Sequence, residues 1–177
     1  MNKLTHFTLI TALACTGLAQ AQGHAHEHGV VKLDIAFELG KVTVQMESPL
    51  DNLIGFEHAP RNDAERKRVD AAVMKLRAAE ALFKIDPAAG CTLGKVDLRS
   101  APLKLGKAEP GAVDDGHGDL DGDFEFNCTD VSKAGFVDIA LFAAFNDMQR
   151  IDVQVATLKT QIKRTLRRPA TRVVLTR

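Results

Sequence analysis

Two neighbouring stretches of alternating apolar and polar residues constrain the fold of this 177-residue chain more than any other feature. In residues 31–37 and again in residues 42–46, Val, Leu, Ile, Phe or Met recurs at every second position. A period of two places apolar side chains on one face of a strand, so both stretches predict half-buried strands. Leu39 and Gly40 supply the turn between them, and the whole predicts a β-hairpin.

The region after this hairpin changes from a period of two to helical spacing. Residues 48–60 form a loop bounded by prolines and unusually rich in apolar residues, so we expect part of it to pack inward. Asn62 or Asp63 can cap the helix that follows. Apolar residues at helical spacings, with charges between them, predict one main helix over about residues 62–84.

The rest of the chain is predicted to be mostly strands. The candidates are residues 91–98, 121–127, 136–142, 151–155 and 173–175. Prolines and glycines between residues 100 and 118 predict a long surface loop, and the basic stretch from Lys159 predicts a strand with a solvated cationic face. The sequence therefore predicts an α+β fold, mostly antiparallel β with one main helix, in a single domain over residues 30–177.

Composition and motifs argue against two classes of function. The formal net charge is zero, aromatic residues make up 5% of the chain, and Trp and Tyr are absent. A protein that binds single-stranded nucleic acid usually needs aromatic stacking platforms and a basic surface, so we expect no nucleic-acid partner. The chain has no nucleophile elbow, HExxH motif, phosphate loop or dinucleotide fingerprint, so we expect no enzyme.

The first 21 residues have the pattern of a cleavable secretory signal. Lys3 provides the positive start, residues 7–18 form a short apolar run, and a small-x-small site ends at Ala21. The run is too short to span a bilayer permanently. We therefore expect cleavage after Ala21 and a periplasmic protein without a membrane span; the competing interpretation is lipoprotein processing at Cys15.

Removal of the signal changes the cysteine count from three to two, which leaves Cys91 and Cys128. An even count in an oxidising compartment predicts one disulfide. The alternatives are two free thiols or two metal ligands. Neither cysteine has a second Cys or a His at close spacing, which argues against a thiolate zinc site.

Three of the six histidines, His24, His26 and His28, lie within five residues. In an extended segment, alternate side chains share one face, so three imidazoles can converge on one metal ion. Imidazole suits Zn(II), Cu(II) and Ni(II). A tetrahedral zinc site needs a fourth ligand, for which His58 and His117 are the candidates.

The cluster lies close to the predicted mature N-terminus, and this leaves two alternatives open. We expect residues 22–29 to be a mobile segment. His24 becomes the third mature residue, so the free amine of Gln22 with the intervening amides could chelate Cu(II) or Ni(II) in a square plane. The other alternative is a structural or interaction domain whose histidine tail is incidental.

Several motifs resemble one known family. They are HAHEHGV at residues 24–30, SPLDNLIGFEHAP at 48–60, AGC at 89–91, HGDL at 117–120, FEFNC at 124–128, FAAF at 142–145 and IDVQ at 151–154. Together they resemble the ZrgA-type zinc uptake proteins over nearly the whole mature chain. GFEH at residues 55–58 is the most specific part of the resemblance.

The resemblance implies a periplasmic protein that is produced under zinc limitation and helps deliver zinc to an uptake system. Its partners would be the zinc ion and a zinc transporter or the periplasmic binding protein of that transporter. Such proteins often carry a longer histidine-rich insertion where this chain has only His117 among acids. Coordination by neutral imidazoles is reversible, and binding should weaken as the pH falls through about 6.5.

Overall fold

The hairpin predicted from the alternating residues lies at the centre of a six-stranded sheet. The structure, a computed structural model, describes residues 27–107 and 118–175. Its strands are β1 (Val30–Glu38), β2 (Lys41–Pro49), β3 (Phe83–Ile85), β4 (Cys91–Arg99), β5 (Asp119–Cys128), β6 (Phe136–Ile139), β7 (Arg150–Ala156), β8 (Gln161–Arg167) and β9 (Arg172–Val174). Its helices are α1 (Asp51–Ile54), α2 (Asp63–Arg77), α3 (Ala79–Leu82) and α4 (Leu141–Ala144).

The large sheet has the strand order β4-β5-β2-β1-β7-β8. All of its pairs are antiparallel except β1 with β7, which are parallel. Along β1, Leu33, Ile35 and Phe37 are buried, and the residues between them are exposed or half-buried. One face of the sheet therefore packs on the core, and the predicted α+β fold with mostly antiparallel strands is confirmed.

The main helix begins where the sequence predicts and ends earlier. The Asn62 side chain accepts a hydrogen bond from the Glu65 backbone N–H at 2.9 Å, which caps α2. The prediction that this helix continues to about residue 84 is wrong, because α2 ends at Arg77 and Phe83 starts a strand. Phe83 pairs with Ile139 of β6 and is fully buried there, so tertiary pairing outweighs the helical spacing of the local sequence.

A second, three-stranded sheet has the order β3-β6-β9. The predicted strand over residues 136–142 is too long, since β6 ends at Ile139 and α4 follows. Alternation stops there because Leu141 and Phe142 are consecutive and both buried. Across β6 and β9, Asp138 accepts two hydrogen bonds of 2.7 Å from Arg172, and these bonds hold the pKa of Asp138 below its usual value.

The buried side chains of both sheets and of α1 and α2 form one hydrophobic cluster. Leu50, Leu53 and Ile54 belong to it, so the apolar loop after the hairpin packs inward as predicted. Cys91 and Cys128 lie opposite each other in β4 and β5 and form the predicted disulfide.

Several sequence predictions fall outside the described residues. They are the signal peptide over residues 1–21, the histidines His24, His26 and His117, and part of the loop over residues 100–118. Among the helices that the structure does describe, none is long and apolar enough to cross a membrane.

Candidate metal-binding region

Two of the five histidines predicted as metal ligands, His28 and His58, lie in the described part of the chain. His28 lies two residues before the start of β1, and His58 follows α1 in the loop that leads to α2. Residues 48–60, called the α1 loop here because they include α1, therefore surround both histidines.

Asn52 of α1 fixes the backbone immediately after His28. Its Oδ1 accepts a hydrogen bond from the Gly29 backbone N–H at 2.6 Å, and its Nδ2 donates to the Val30 carbonyl at 2.8 Å and to Ser48 Oγ at 3.4 Å. The Asn52 side chain is only 1% exposed. A buried carboxamide that bonds the main chain on both sides of one peptide unit sets the position from which His28 extends.

A second set of contacts ties the same segment to the start of β7. Arg150 donates two side-chain hydrogen bonds to the Glu27 carboxylate, at 3.2 and 2.7 Å, and these bonds raise the pKa of Arg150. The Gly29 carbonyl accepts hydrogen bonds from the backbone N–H groups of Gln149 and Arg150. Gly29 has a φ of +79°, and a Cβ there would lie 3.1 Å from the Gln149 side chain, so this close approach favours glycine.

The imidazole of His28 lies between two carboxylates. Its Nδ1 is 3.4 Å from Asp51 Oδ2, and its Nε2 is 3.2 Å from Glu57 Oε1. The His28 side chain is 60% exposed and that of Glu57 is 16% exposed. The ring is thus accessible to solvent while it contacts the carboxylate oxygens of Asp51 and Glu57.

This arrangement suits a metal ion bound between the ring and a carboxylate. A neutral imidazole has one N–H donor and one lone pair, whereas an ionised carboxylate only accepts. With both nitrogens facing carboxylate oxygens, one contact brings lone pairs together unless a proton or a metal ion lies between them. Two ligand atoms bound to tetrahedral zinc at their usual bond lengths are about 3.4 Å apart, close to the distance between His28 Nε2 and Glu57 Oε1.

The other nitrogen would then have a supporting role. A histidine that binds metal through one nitrogen commonly donates its remaining N–H to a carboxylate, which orients the ring. Asp51 is placed to accept such a bond from His28 Nδ1. Across residues 27–107 and 118–175, however, no group of three or more His, Cys, Asp or Glu side chains is arranged to hold a metal ion. The described side chains supply part of a coordination shell.

His58 lies beside Glu57 in sequence but has different contacts. Its Nδ1 is 2.9 Å from the Ala59 carbonyl oxygen, and its ring stacks on Phe56 with the ring centroids 4.8 Å apart. A proton on Nδ1 would satisfy that carbonyl and leave the Nε2 lone pair for a metal. The structure does not bring His58 into contact with His28.

The segment that begins at Gly118 also meets this region. The Gly118 carbonyl accepts a hydrogen bond from the Leu50 backbone N–H at 2.8 Å. A Cβ on Gly118 would lie 2.2 Å from the Glu57 carbonyl oxygen, so only glycine fits against the backbone at this point. His117, which lies outside the described residues, is covalently joined to a residue in contact with Glu57.

Cys91 and Cys128 are joined to each other, so neither of these two described cysteines offers a thiolate to a metal ion. Three residues of this region, Asp51, Asn52 and Arg150, were not predicted from the sequence. Asp51 and Asn52 belong to the motif over residues 48–60, which was the available signal for them. Arg150 carried no signal, because its partner Glu27 is 123 residues away.

Comparison with known proteins agrees with the motifs. The family model described as "ZrgA family zinc uptake protein" matches residues 25–175. No curated protein matches the chain. The match covers every described residue, including His28, the α1 loop and both disulfide cysteines.

Proposed function

The chain belongs to the ZrgA family of zinc uptake proteins, and we propose that it captures Zn(II) in the periplasm and helps to deliver the ion to a zinc transporter or its binding protein. It acts by binding and transfer, not by catalysis. The observation that supports this proposal most is the His28 imidazole between Asp51 and Glu57.

In the proposed site, His28 Nε2 and the Glu57 carboxylate contribute two ligands, and Asp51 orients the ring from the other nitrogen. The sequence offers imidazoles for the remaining positions, namely His24, His26, His58 and His117. A zinc site built from imidazoles and one carboxylate, without thiolates, is consistent with reversible binding, because neutral and carboxylate ligands exchange more readily than thiolates do.

Anchoring of the chain on both sides of His28 is consistent with a role in transfer. Asn52 and Arg150 fix the chain at Gly29 and Glu27, next to the histidines that precede them in the sequence. Because His28 is mostly exposed, a partner protein can reach the metal there. The proposal therefore places capture and release at the same exposed point of the fold.

Zinc titration of the chain beginning at Gln22 tests the proposal. Each of His28→Ala and Glu57→Gln should weaken Zn(II) binding at least tenfold, which corresponds to about 1.4 kcal/mol. Glu125→Gln is the matched control, since this half-exposed carboxylate of β5 lies in an ion pair with Lys41. Unchanged affinity in both site variants would refute the assignment of His28 and Glu57.

A second comparison tests the contribution of the N-terminal cluster. Replacement of His24, His26 and His28 by Ala should lower the zinc affinity further than His28→Ala alone, and equal affinities of the triple variant and the wild type would exclude the cluster. Visible spectra with Cu(II) and Ni(II) check the alternative of a chelator at the mature N-terminus. That alternative would be favoured by a square-planar spectrum that persists in Glu57→Gln, together with tighter binding of Cu(II) or Ni(II) than of Zn(II).

A further inference from the structure

A groove of about 560 Å³ lies at the opposite end of β1 from His28. It runs along the edge strand β8, from the β7–β8 turn at Thr157 to Arg164, and its other wall includes Val174 and Leu175 at the end of the small sheet. β1 has nine residues, so its two ends are about 26 Å apart. The groove is therefore separate from the proposed zinc site.

The groove is apolar at depth, and two large apolar side chains also lie at its rim. Phe37, Val131 and Ala134 reach it from the core. At the rim, Leu158 is 58% exposed and Val174 is 51% exposed, although both are large hydrophobic residues. An apolar surface that continues from the core to two exposed side chains suits an apolar chain better than water.

The charge of the groove has one sign. Lys159 and Arg164 line it, whereas the neighbouring Lys163 lies opposite the exposed Gln154 and faces away from the core. No Asp or Glu lines the groove among the described residues. Neither Lys159 nor Arg164 forms an ion pair within residues 27–107 and 118–175, although the chain as a whole has equal numbers of acidic and basic residues. Arg164 lies opposite the buried Val153 in the sheet register, which puts its side chain on the core-facing side of β8.

We propose that this groove binds a single-chain anionic amphiphile, such as a long-chain carboxylate. The acyl chain lies along Phe37, Ala134 and Val174, and the carboxylate meets Lys159 and Arg164 at the rim. The volume falls within the range of about 300–1,000 Å³ that small-molecule pockets span. Charge complementarity selects the anionic head group, because Lys159 and Arg164 have no acidic partner in the groove.

Calorimetric titration with monomeric dodecanoate, below its micelle concentration, tests this proposal. Dodecyltrimethylammonium is the matched ligand, since it has the same chain length and the opposite charge. We expect saturable binding of one dodecanoate per chain, at least tenfold tighter than binding of the cationic ligand. Equal binding of the two ligands, or no saturable binding of dodecanoate, would overturn the proposal.

Two variants locate the binding. The double substitution Lys159→Glu with Arg164→Glu changes exposed positions and should weaken dodecanoate binding at least tenfold. Lys67→Glu with Arg68→Glu is the matched control, because it reverses an identical pair of charges on the exposed surface of α2. Equal loss in both double variants would show a general charge effect and overturn the assignment to the groove.

A vesicle experiment distinguishes a free amphiphile from a membrane surface. The wild-type chain is sedimented with phosphatidylglycerol vesicles in the absence of dodecanoate. The proposal predicts saturable binding of monomeric dodecanoate whether or not the chain sediments with the vesicles. Sedimentation without any binding of the monomer would identify a membrane-docking surface instead, and the proposal would be wrong.

Discussion

Replacement of Asn52 by Leu should destabilise the protein because two backbone groups lose their hydrogen-bond partner, not because packing is lost. Leu has a similar size and suits the buried site, but it cannot bond the Gly29 N–H or the Val30 carbonyl, which now contact the carboxamide at 2.6 and 2.8 Å. Leaving a buried polar group without its partner costs about 1–3 kcal/mol, so the variant should lose about 2–4 kcal/mol after the gain from its apolar side chain.

Urea unfolding followed by far-UV circular dichroism measures this loss. Tryptophan and tyrosine fluorescence cannot serve as probes, since the chain contains neither residue. Asn127→Leu is the matched control, because Asn127 is exposed on β5, where surface substitutions usually change stability by less than about 0.5 kcal/mol.

The same variant tests the coupling between Asn52 and the zinc region. Under conditions where Asn52→Leu is fully folded, Zn(II) affinity should still fall, because the segment that carries His28 has lost its anchor at Gly29. A free energy of unfolding within about 0.5 kcal/mol of the Asn127→Leu control would refute the reasoning about Asn52. Loss of stability with unchanged zinc affinity would restrict Asn52 to a structural role.

Three further predictions concern the rest of the fold. Arg168→Ala should lower the free energy of unfolding by about 2–3 kcal/mol, with the exposed Arg167→Ala nearly neutral, because the Arg168 guanidinium donates hydrogen bonds to four main-chain carbonyls of residues 142–148. Cys91 and Cys128 are 37 residues apart in the sequence, so reduction of their disulfide should lower the free energy of unfolding by about 4 kcal/mol. Urea unfolding with and without reductant measures this loss. The pKa of Asp138 is lowered in the folded state, so its pairing with Arg172 stabilises the fold at pH values above the ordinary pKa of a carboxyl group. Asp138→Asn should therefore be less stable than the wild type by at most about 1 kcal/mol at neutral pH. This difference in the free energy of unfolding should vanish as the pH falls through the pKa of Asp138 in the folded state.

The central part of the fold could be predicted from the sequence because it depends on local patterns. The alternation in β1 and β2 records which face is buried, and one glycine supplies the turn. The Asn62 cap is equally local, since its bond to Glu65 spans three residues. Such signals are visible without knowledge of any distant part of the chain.

The pairings between distant segments could not be predicted in this way. The parallel pair of β1 with β7 joins Val30 to Arg150, and no local pattern records that register. Phe83 and Leu141 have apolar side chains that fit a helix or a strand, and the second sheet decides between these structures. The errors in the bounds of α2 and β6 have this same origin.

The candidate site shows the same division. The histidine-rich motif predicted His28 as a candidate ligand, because closely spaced imidazoles are unusual and chemically specific. The neighbouring carboxylates of Asp51 and Glu57 come from a loop more than twenty residues away, so their contact with His28 depends on the fold. The disulfide was predicted from the sequence because the expected removal of a signal peptide leaves two cysteines.

The most direct test of the zinc proposal is anomalous diffraction at the zinc edge from crystals of the zinc-loaded chain. The proposal predicts an anomalous peak at about 2.0–2.2 Å from both His28 Nε2 and a Glu57 carboxylate oxygen, with the His28 Nδ1 still facing Asp51. An anomalous peak at full occupancy whose ligands include neither His28 nor Glu57 would contradict it.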